Sequence, residues 1–405
     1  MRAWLWVLLC TLGIYSTIPL ARSFQKLVYK SVGKEFFTYL VFFVIAAGLI
    51  TLLYLFIFKF KIKSVSQYAC LIFCAGLYIY FTVQLSDSPE EAIHIIEYGL
   101  LAFFVFKALS HKIKDWTIYI TAAFIIMLLG TVDEFIQWMM PARYWDYRDV
   151  GINFLAGAIF LFAIWKGIRP ANISSRVKNH SIRVLVGVIT LNLIFMGLCL
   201  SNSPDNIKRY TSAIGYLSWL QREEPMTEFG HRNYDHQIGY IYSRLRLEDL
   251  SQIDSENGKS YGKLIYDDNN AGLSGKAMIE KYGPDSNPFI YEFLLHHFRT
   301  AFYIKKFYDS SDLHDKSEFA RIVLNESLII KKYFATTFQN SGLKWLKFDR
   351  DNLKAAVLQD NDSYISRTGI LITGLDINTA RAAILFILFI VWIGGKIWKR
   401  KVSGD

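Results

Sequence analysis

Long runs of apolar residues are the feature that most constrains how this chain can fold. A bilayer core about 30 Å thick is crossed by about 20 apolar helical residues, and 53% of the 405 residues are hydrophobic. Every crossing must satisfy its own backbone hydrogen bonds, which predicts helices. Eight candidate crossings are found, at residues 4–21, 36–58, 68–85, 92–109, 116–139, 150–166, 182–200 and 382–398.

The distribution of these runs predicts an all-α, polytopic helical membrane protein with about eight crossings and a mostly helical extracytoplasmic domain. The first run could instead be a signal peptide, with Ala21 as a weak cleavage residue. The predicted organisation is residues 1–67 for the first two crossings, 68–168 for a four-helix membrane core, 169–204 for the seventh crossing, 205–380 for the extracytoplasmic domain, and 381–405 for the last crossing and a basic tail.

The placement of Lys and Arg predicts the orientation, because cytoplasmic loops carry an excess of both. The tail is basic, with Lys396, Lys399, Arg400 and Lys401, and the loops 59–63, 107–114 and 166–183 are basic as well. The acidic segment Ser86–Glu91 falls on the other side. Residues 22–35 are an exception, since they are basic but expected outside. The sequence therefore predicts an inner-membrane protein with its C-terminus in the cytoplasm and residues 205–380 outside.

The net charge of +10 belongs to the membrane part of the chain, because residues 201–380 hold 22 basic and 24 acidic residues. We interpret the excess as a topology signal, and no nucleic-acid partner is predicted. All four cysteines lie in or beside apolar runs. The extracytoplasmic domain is therefore expected to be stabilised by a core and to be indifferent to reducing agents.

Polar residues are concentrated where three predicted crossings end on the outer side. One crossing begins near residue 92, the next ends near residue 139, and the third begins near residue 150, so their polar ends should lie at similar depth. Spacings of three and four residues place the members from each helix on one face. We call this set the polar seam: His94, Glu97, Asp133, Glu134, Gln137, Arg143, Arg148, Asp149 and Asn153.

The composition of the polar seam indicates a site, because charged side chains at membrane depth are costly and usually serve a function. A histidine with several carboxylates suits acid–base catalysis or a divalent cation, and the arginines suit a phosphate or carboxylate. The alternative is a structural clasp, in which the arginines neutralise Glu134 and Asp149 while Gln137 and Asn153 tie helices together. The candidate catalytic residues are His94, Glu97, Asp133, Glu134 and Asp149, and the candidate ligand-binding residues are Gln137, Arg143, Arg148 and Asn153.

The same residues carry a family resemblance, over roughly residues 68–168. His94 with Tyr98, Asp133-Glu134 with Gln137, Pro141 with Arg143, and Asp149, Asn153 and Gly157 match the order and spacing of the VanZ-like family. The family usually has Pro-Gly-Arg in the loop, where this chain has Ala142 in place of the glycine. The resemblance implies a bacterial cell-envelope protein from a family associated with glycopeptide (teicoplanin) resistance, and it implies no particular reaction.

Three functions remain open at this point. The preferred one is recognition or processing of an anionic amphiphile or a lipid-linked cell-surface precursor at the outer face of the inner membrane. The second is a scaffold that binds partners, with the polar seam as a clasp. The third is a lipid transporter, which would need polar groups through the whole membrane depth. The crossings show few such groups, and Asn192 is one. The sequence assigns no metal or cofactor.

The extracytoplasmic domain offers weaker signals. Helices are predicted over residues 286–308 and 318–338. A further helix, broken by Gly258 and Gly262, is predicted over residues 247–268, and a short strand over residues 239–247. His231, Asp235 and His236 could bind zinc, but their spacing matches no zinc signature and favours a polar turn. His296 and His297 should point to different faces, one into an aromatic core. No nucleophile motif is present.

Overall fold

A computed structural model describes residues 2–33, 35–85, 91–140, 143, 145–222, 225–284, 286–345, 349–357, 364–368 and 371–404, without the side chains of residues 21–23, 221–222, 371–372 and 404. The chain forms two compact units. One comprises residues 1–199, 222–226 and 381–405, and the other comprises residues 200–221 and 227–380. We call the first the membrane unit and the second, after the location predicted for it from the sequence, the outer unit.

The membrane unit is built from helices. They are α1 (Arg2–Ser31), α2 (Phe36–Tyr54), α3 (Val65–Gln84), α4 (Ile93–Leu109), α5 (Thr117–Trp138), α6 (Tyr147–Phe162), α7 (Asn179–Leu200) and α15 (Ile377–Gly404). Leu55–Lys59 and Ala163–Ile168 prolong α2 and α6 as π-helical turns. Seven of these helices, within the described residues, are long and apolar enough to cross a membrane. The all-α, polytopic prediction is confirmed.

The fourth predicted crossing, 92–109, is the helix α4, which is not among those seven. It has 17 residues, which span about 25 Å, so it is shorter than the other crossings. Its side chains form the centre of the membrane unit, where Tyr98, Leu101 and Val105 are buried against Ile118 and Ile126 of α5. A short helix therefore serves as the core around which the longer helices pack.

The first helix differs from its predicted bounds. The expected crossing ended at residue 21 and was followed by a basic loop, but α1 continues to Ser31. The chain turns only at Gly33, whose φ of +99° is accessible to glycine at little cost. Lys26 and Lys30 therefore belong to a helix, whereas Lys34 and residues 86–90 of the predicted acidic loop lie outside the described residues.

Helices α7 and α15 pack as an antiparallel pair. Asn179 Nδ2 donates a hydrogen bond to Ser403 Oγ at 2.6 Å, at the first turn of α7 and the last turn of α15. At the opposite end of the pair, a Cβ atom on Gly197 would lie 3.4 Å from Ile384 Cδ1. Between these two ends, a Cβ atom on Gly395 would lie 2.6 Å from Val186 Cγ2, so the glycine at this position allows the two helices to approach closely.

The outer unit is mostly helical and contains a small sheet. Phe289, Phe293 and Phe334 form the centre of its core. Its elements are α8 (Pro204–Ala213), a 3-10 helix (Gly215–Arg222), β1 (Glu228–Asp235), β2 (Gly239–Ser243), α9 (Leu247–Asn270), α10 (Gly275–Tyr282), α11 (Pro288–Asp309), α12 (Leu313–Tyr333), α13 (Ala335–Asn340), α14 (Arg350–Ala356), β3 (Ile365–Arg367) and β4 (Leu371–Thr373). The strands of the sheet are in the order β3-β2-β1-β4, with β1 antiparallel to β2 and the other two pairs parallel.

Three sequence predictions for the outer unit were wrong in detail. Helix α9 is not broken by its glycines, because both lie against α13, where a Cβ on Gly262 would be 2.6 Å from Asn340 Cβ. The predicted helix 318–338 is two helices, α12 and α13, separated at Phe334, whose φ of −139° is not helical. Residues 228–235, interpreted as a turn from His231 onward, form strand β1. The strand predicted at Gly239 is confirmed as β2.

Candidate functional site

The polar seam is assembled from one end of each of three consecutive helices. His94 and Glu97 lie in the first turns of α4, Asp133, Glu134 and Gln137 in the last turns of α5, and Asp149 and Asn153 in the first turns of α6. The helices bring the charges together, since His94 interacts electrostatically with Glu97, Asp133 and Asp149. Glu134 likewise interacts with Asp133, Asp149 and His94.

Hydrogen bonds hold part of the polar seam in place. His94 Nδ1 lies 3.1 Å from Glu97 Oε2, one turn further along α4. Gln137 Nε2 donates to Glu134 Oε1 at 2.9 Å, again within one helix. Asp146 donates its backbone N–H to Glu134 Oε2 at 3.4 Å, which links the loop before α6 to α5. The spacings of three residues recognised in the sequence therefore do produce side-chain contacts.

Three side chains of the polar seam, Asp133, Asp149 and Asn153, have buried polar atoms without a hydrogen-bond partner among the described residues. Asp133 and Asn153 are both inaccessible to solvent. Among the described residues, Asp133 Oδ1 and both polar atoms of the Asn153 side chain have no hydrogen-bond partner. An unsatisfied buried polar group costs about 1–3 kcal/mol. Such groups are uncommon in folded proteins and need a specific explanation.

Asp115, between α4 and α5 at the other end of the same helices, shows how this chain satisfies a buried structural carboxylate. Its Oδ1 accepts from Thr117 Oγ1 at 2.5 Å and from the Thr117 backbone N–H at 3.2 Å. Its Oδ2 accepts from Ser181 Oγ at 2.6 Å and from the Lys178 backbone N–H at 3.2 Å. Asp115 has four donors, whereas Asp133 accepts one hydrogen bond, from Tyr98, in the described part of the chain.

The two arginines of the polar seam have different surroundings. Arg148 Nη2 donates to Glu91 Oε2 at 2.9 Å, and its Nε lies 3.6 Å from Asp149 Oδ1. The Arg148 side chain is 59% exposed, so solvent screens these ion pairs strongly. Arg143 interacts electrostatically with Asp133. The neighbouring loop residues Pro141 and Ala142 lie outside the described residues.

The structure adds residues that the sequence did not identify as part of the site. Tyr98 OH donates to Asp133 Oδ2 at 3.0 Å, and Tyr98 is fully buried. Tyr15 of α1 interacts electrostatically with Asp133, and its hydroxyl donates to the Leu129 carbonyl at 2.7 Å. In the sequence, a tyrosine inside an apolar run cannot be distinguished from the other aromatic residues of a membrane helix. The one signal for Tyr98 was its spacing of four residues from His94, and Tyr15 had none.

The histidines of the outer unit are explained by its fold. Asp235 accepts hydrogen bonds from Lys332 and Tyr333, so it is paired with them and not with His231 or His236. Burial disfavours its charged form, but these donors lower the pKa of Asp235 to about 2. His297 is the histidine in the aromatic core, where it contacts Phe338 and Trp345. Burial there lowers the pKa of His297 to about 4.

His296 belongs to a buried network around Glu326 instead. Its Nδ1 lies 2.5 Å from Glu326 Oε2, and Tyr364 and Ser366 donate hydrogen bonds to Glu326 Oε1. Burial opposes ionisation of Glu326, but His296 and the hydrogen bonds outweigh it and lower its pKa to about 2. No group of three or more His, Cys, Asp or Glu side chains within the described residues is arranged to hold a metal ion.

Comparison with known proteins gives no family: no family model matches the chain, and no curated protein or solved structure matches it. The chemistry of the polar seam therefore has to be argued from its own geometry. A histidine, four carboxylates and a tyrosine hydroxyl lie close together, which is an arrangement able to pass a proton or to bind the positive part of a ligand. Arginines at its rim are able to bind an anionic group.

Proposed function

We propose that the polar seam is a site that recognises or processes the anionic head group of an amphiphile or lipid-linked cell-surface precursor. The observation that supports it most directly is the pair of buried, incompletely bonded side chains, Asp133 and Asn153. A ligand's polar head group would supply the missing partners. Arg143 and Arg148 would attract the anion, and His94 with the carboxylates would transfer protons.

The proposed location is the outer face of a bacterial inner membrane. The basic loops and basic tail favour this orientation. The resemblance to the VanZ-like family, which rests on the seam residues themselves, favours a role in the cell envelope. In this location the helix ends that carry the polar seam would lie where water meets the lipid head groups, so an amphiphile could reach the seam without leaving the membrane.

A purely structural clasp is less well supported. In a clasp, Gln137 and Asn153 would tie different helices together. Gln137 instead bonds to Glu134 of its own helix, and the polar atoms of Asn153 have no partner in the described part of the chain. Transport is also less well supported. Asn192, one of the few polar residues within the crossings, donates to the carbonyls of Phe124 and Val188 and so ties α7 to α5.

Identification of the amphiphile that co-purifies with the protein tests this proposal. The wild-type protein is purified in mild detergent, and the lipids bound to it are extracted with solvent and identified by mass spectrometry. The extract should contain an anionic lipid or lipid-linked precursor. The double substitution Arg143→Gln with Arg148→Gln should reduce the bound amount by about tenfold or more, because two charge-assisted contacts are lost. The thermal stability in detergent should stay close to that of the wild type.

The matched control replaces two exposed arginines beyond the other end of α6, Arg169→Gln with Arg176→Gln. This variant should retain the amphiphile. Equal retention by both double variants would contradict the proposal. Loss of stability in the seam variant with the amphiphile retained would favour the clasp.

A further inference from the structure

One face of the sheet in the outer unit carries two rows of side chains that cross the strands. In the first row, Arg232 of β1 is paired with Tyr242 of β2, and Tyr242 with Arg367 of β3. In the second row, Tyr234 is paired with Tyr240, and Tyr240 with Ile365. Directly paired residues point to the same side of a sheet. We call these six residues the tyrosine–arginine face.

The tyrosine–arginine face is directed to solvent. Tyr234 is 54% exposed and Ile365 is 43% exposed, and Arg232 and Arg367 are exposed as well. Residues that alternate with them along the strands, such as Ile241, Ser243 and Ser366, are fully buried. The sheet thus has one side in the core, and it presents aromatic rings on its open side, where polar residues are usual.

Stacking orders the side chains of this face. The Arg232 guanidinium lies 4.0 Å from the centre of the Tyr240 ring, and the Arg367 guanidinium lies 5.2 Å from that of Tyr242. The rings of Tyr234 and Tyr240 are 5.1 Å apart. A guanidinium stacked on a ring keeps its N–H groups at its edge, in the geometry that binds a carboxylate or phosphate.

A groove of about 620 Å³ adjoins this face. Arg232, Tyr234 and Tyr242 line it together with His231, Arg246 and Glu248. Grooves of this size hold small ligands or a few units of a polymer. The residues named for the face and the groove include three arginines, Arg232, Arg246 and Arg367, and one acidic residue, Glu248. The combined surface therefore favours an anion.

We propose that the tyrosine–arginine face and its groove bind an anionic glycan. A sugar ring presents C–H groups that pack on the negative face of an aromatic ring, and a carboxylate or phosphate on the sugar would meet Arg232 or Arg367. A long nucleic acid is disfavoured, because the surrounding unit has no excess of positive charge. This inference concerns the outer unit and does not depend on the function proposed for the polar seam.

Titration calorimetry on the full-length chain in detergent tests the inference with three probes of equal length. They are an oligogalacturonate, which carries carboxylates, a phosphorylated oligomannose, and a neutral oligomannose. At least one anionic probe should bind, and the neutral probe should bind at least about tenfold more weakly, since each charged contact is equivalent to about that factor. The anionic probe that binds more tightly identifies the charged group of the glycan.

Arg232→Gln with Arg367→Gln should weaken binding of the anionic probe by about tenfold or more. Tyr234→Ala should weaken it as well, since it removes a ring from the face. The matched control, Arg209→Gln with Arg350→Gln, changes two exposed arginines of the same unit that lie outside the face and should bind like the wild type. No binding of either anionic probe would overturn the inference. Binding that Tyr234→Ala leaves unchanged would also overturn it, because it would reflect charge alone.

Discussion

At the scale of single residues, the polar seam is distinguished by what its acids lack. Asp115 and Asp254 are also buried carboxylates in this chain, and both accept several hydrogen bonds. Asp254 accepts from the backbone N–H groups of Thr336 and Thr337 and from Thr337 Oγ1. Asp133 accepts one from Tyr98. The fold is thus able to satisfy a buried acid fully, and at the seam it does not.

The substitution Glu134→Gln distinguishes a structural role of this buried acid from a functional one. Gln has nearly the same shape, and its amide oxygen can still accept one of the two hydrogen bonds that Glu134 accepts. The other hydrogen bond, from the Asp146 N–H, is long at 3.4 Å, so the free energy of unfolding should fall by about 1 kcal/mol. A site that needs an ionised oxygen should nevertheless lose its function. Thermal unfolding in detergent and complementation of a deletion strain measure the two effects.

Asp115→Asn is the control for this substitution, because it changes a buried acid that is satisfied by four donors. One amide oxygen and one amide NH₂ cannot accept all four hydrogen bonds, so we expect a lower melting temperature. A Glu134→Gln protein with both normal stability and normal complementation would contradict a functional role for the charge of Glu134.

At the scale of helices and strands, glycines set the distance between α5 and α6. A Cβ on Gly157 would lie 2.7 Å from Ile126 Cγ2. Ile126 is fully buried and β-branched, so it has little freedom to move away. Gly157 therefore lets α6 approach α5, and this approach brings Asn153 towards the end of α5 that carries Asp133.

Gly157→Ala should destabilise the membrane unit by about 1–3 kcal/mol, because it overpacks this contact. Gly151→Ala is a matched control on the same helix, since a Cβ there meets nothing within 4 Å. Alanine is the better helix former, so that variant should be as stable as the wild type or slightly more stable. Thermal unfolding in detergent measures both, and equal melting temperatures would contradict the proposed contact.

The convergence of the three helix ends could be predicted because it depends on local information. Apolar runs fixed where each helix ends, and spacings of three or four residues fixed which side chains share a face. Tyr15 and Tyr98 could not be assigned in the same way, because a hydroxyl within an apolar run becomes informative only when its partner is known. Tyr98 lies 35 residues from Asp133.

The elements that sequence reasoning missed depend on distant partners. Strand β1 lacks a clear alternation of polar and apolar residues, and its partner β4 begins only at Leu371. The glycines of α9 usually signal a break, but packing against α13 compensates for their low helix propensity. In both cases tertiary contacts outweighed the local signal.

At the scale of the whole molecule, the orientation in the membrane decides which compartment the polar seam faces. Four basic residues in the tail and three basic loops support a cytoplasmic C-terminus. If this is right, a cysteine introduced as Glu256→Cys should react with a membrane-impermeant thiol reagent in intact cells whose outer membrane, if there is one, has been permeabilised. Val402→Cys should react only after lysis.

The wild-type chain provides the background for this measurement, because its four free cysteines all belong to helices of the membrane unit. The opposite labelling pattern would place the outer unit and the polar seam on the cytoplasmic side. The proposed substrate at the outer leaflet would then be wrong, although the geometry of the seam would be unchanged.

The antiparallel pairing of α7 and α15 has a consequence for how such a gene can change. The 176 residues between Leu200 and Ile377 leave and rejoin this pair at the same end. A short connection could replace them, as is usual where a guest domain enters and leaves its host at neighbouring points. The codons for the polar seam, from His94 to Asn153, lie entirely upstream. Recombination could therefore exchange, acquire or delete the outer unit in one event and leave the helices that form the seam intact.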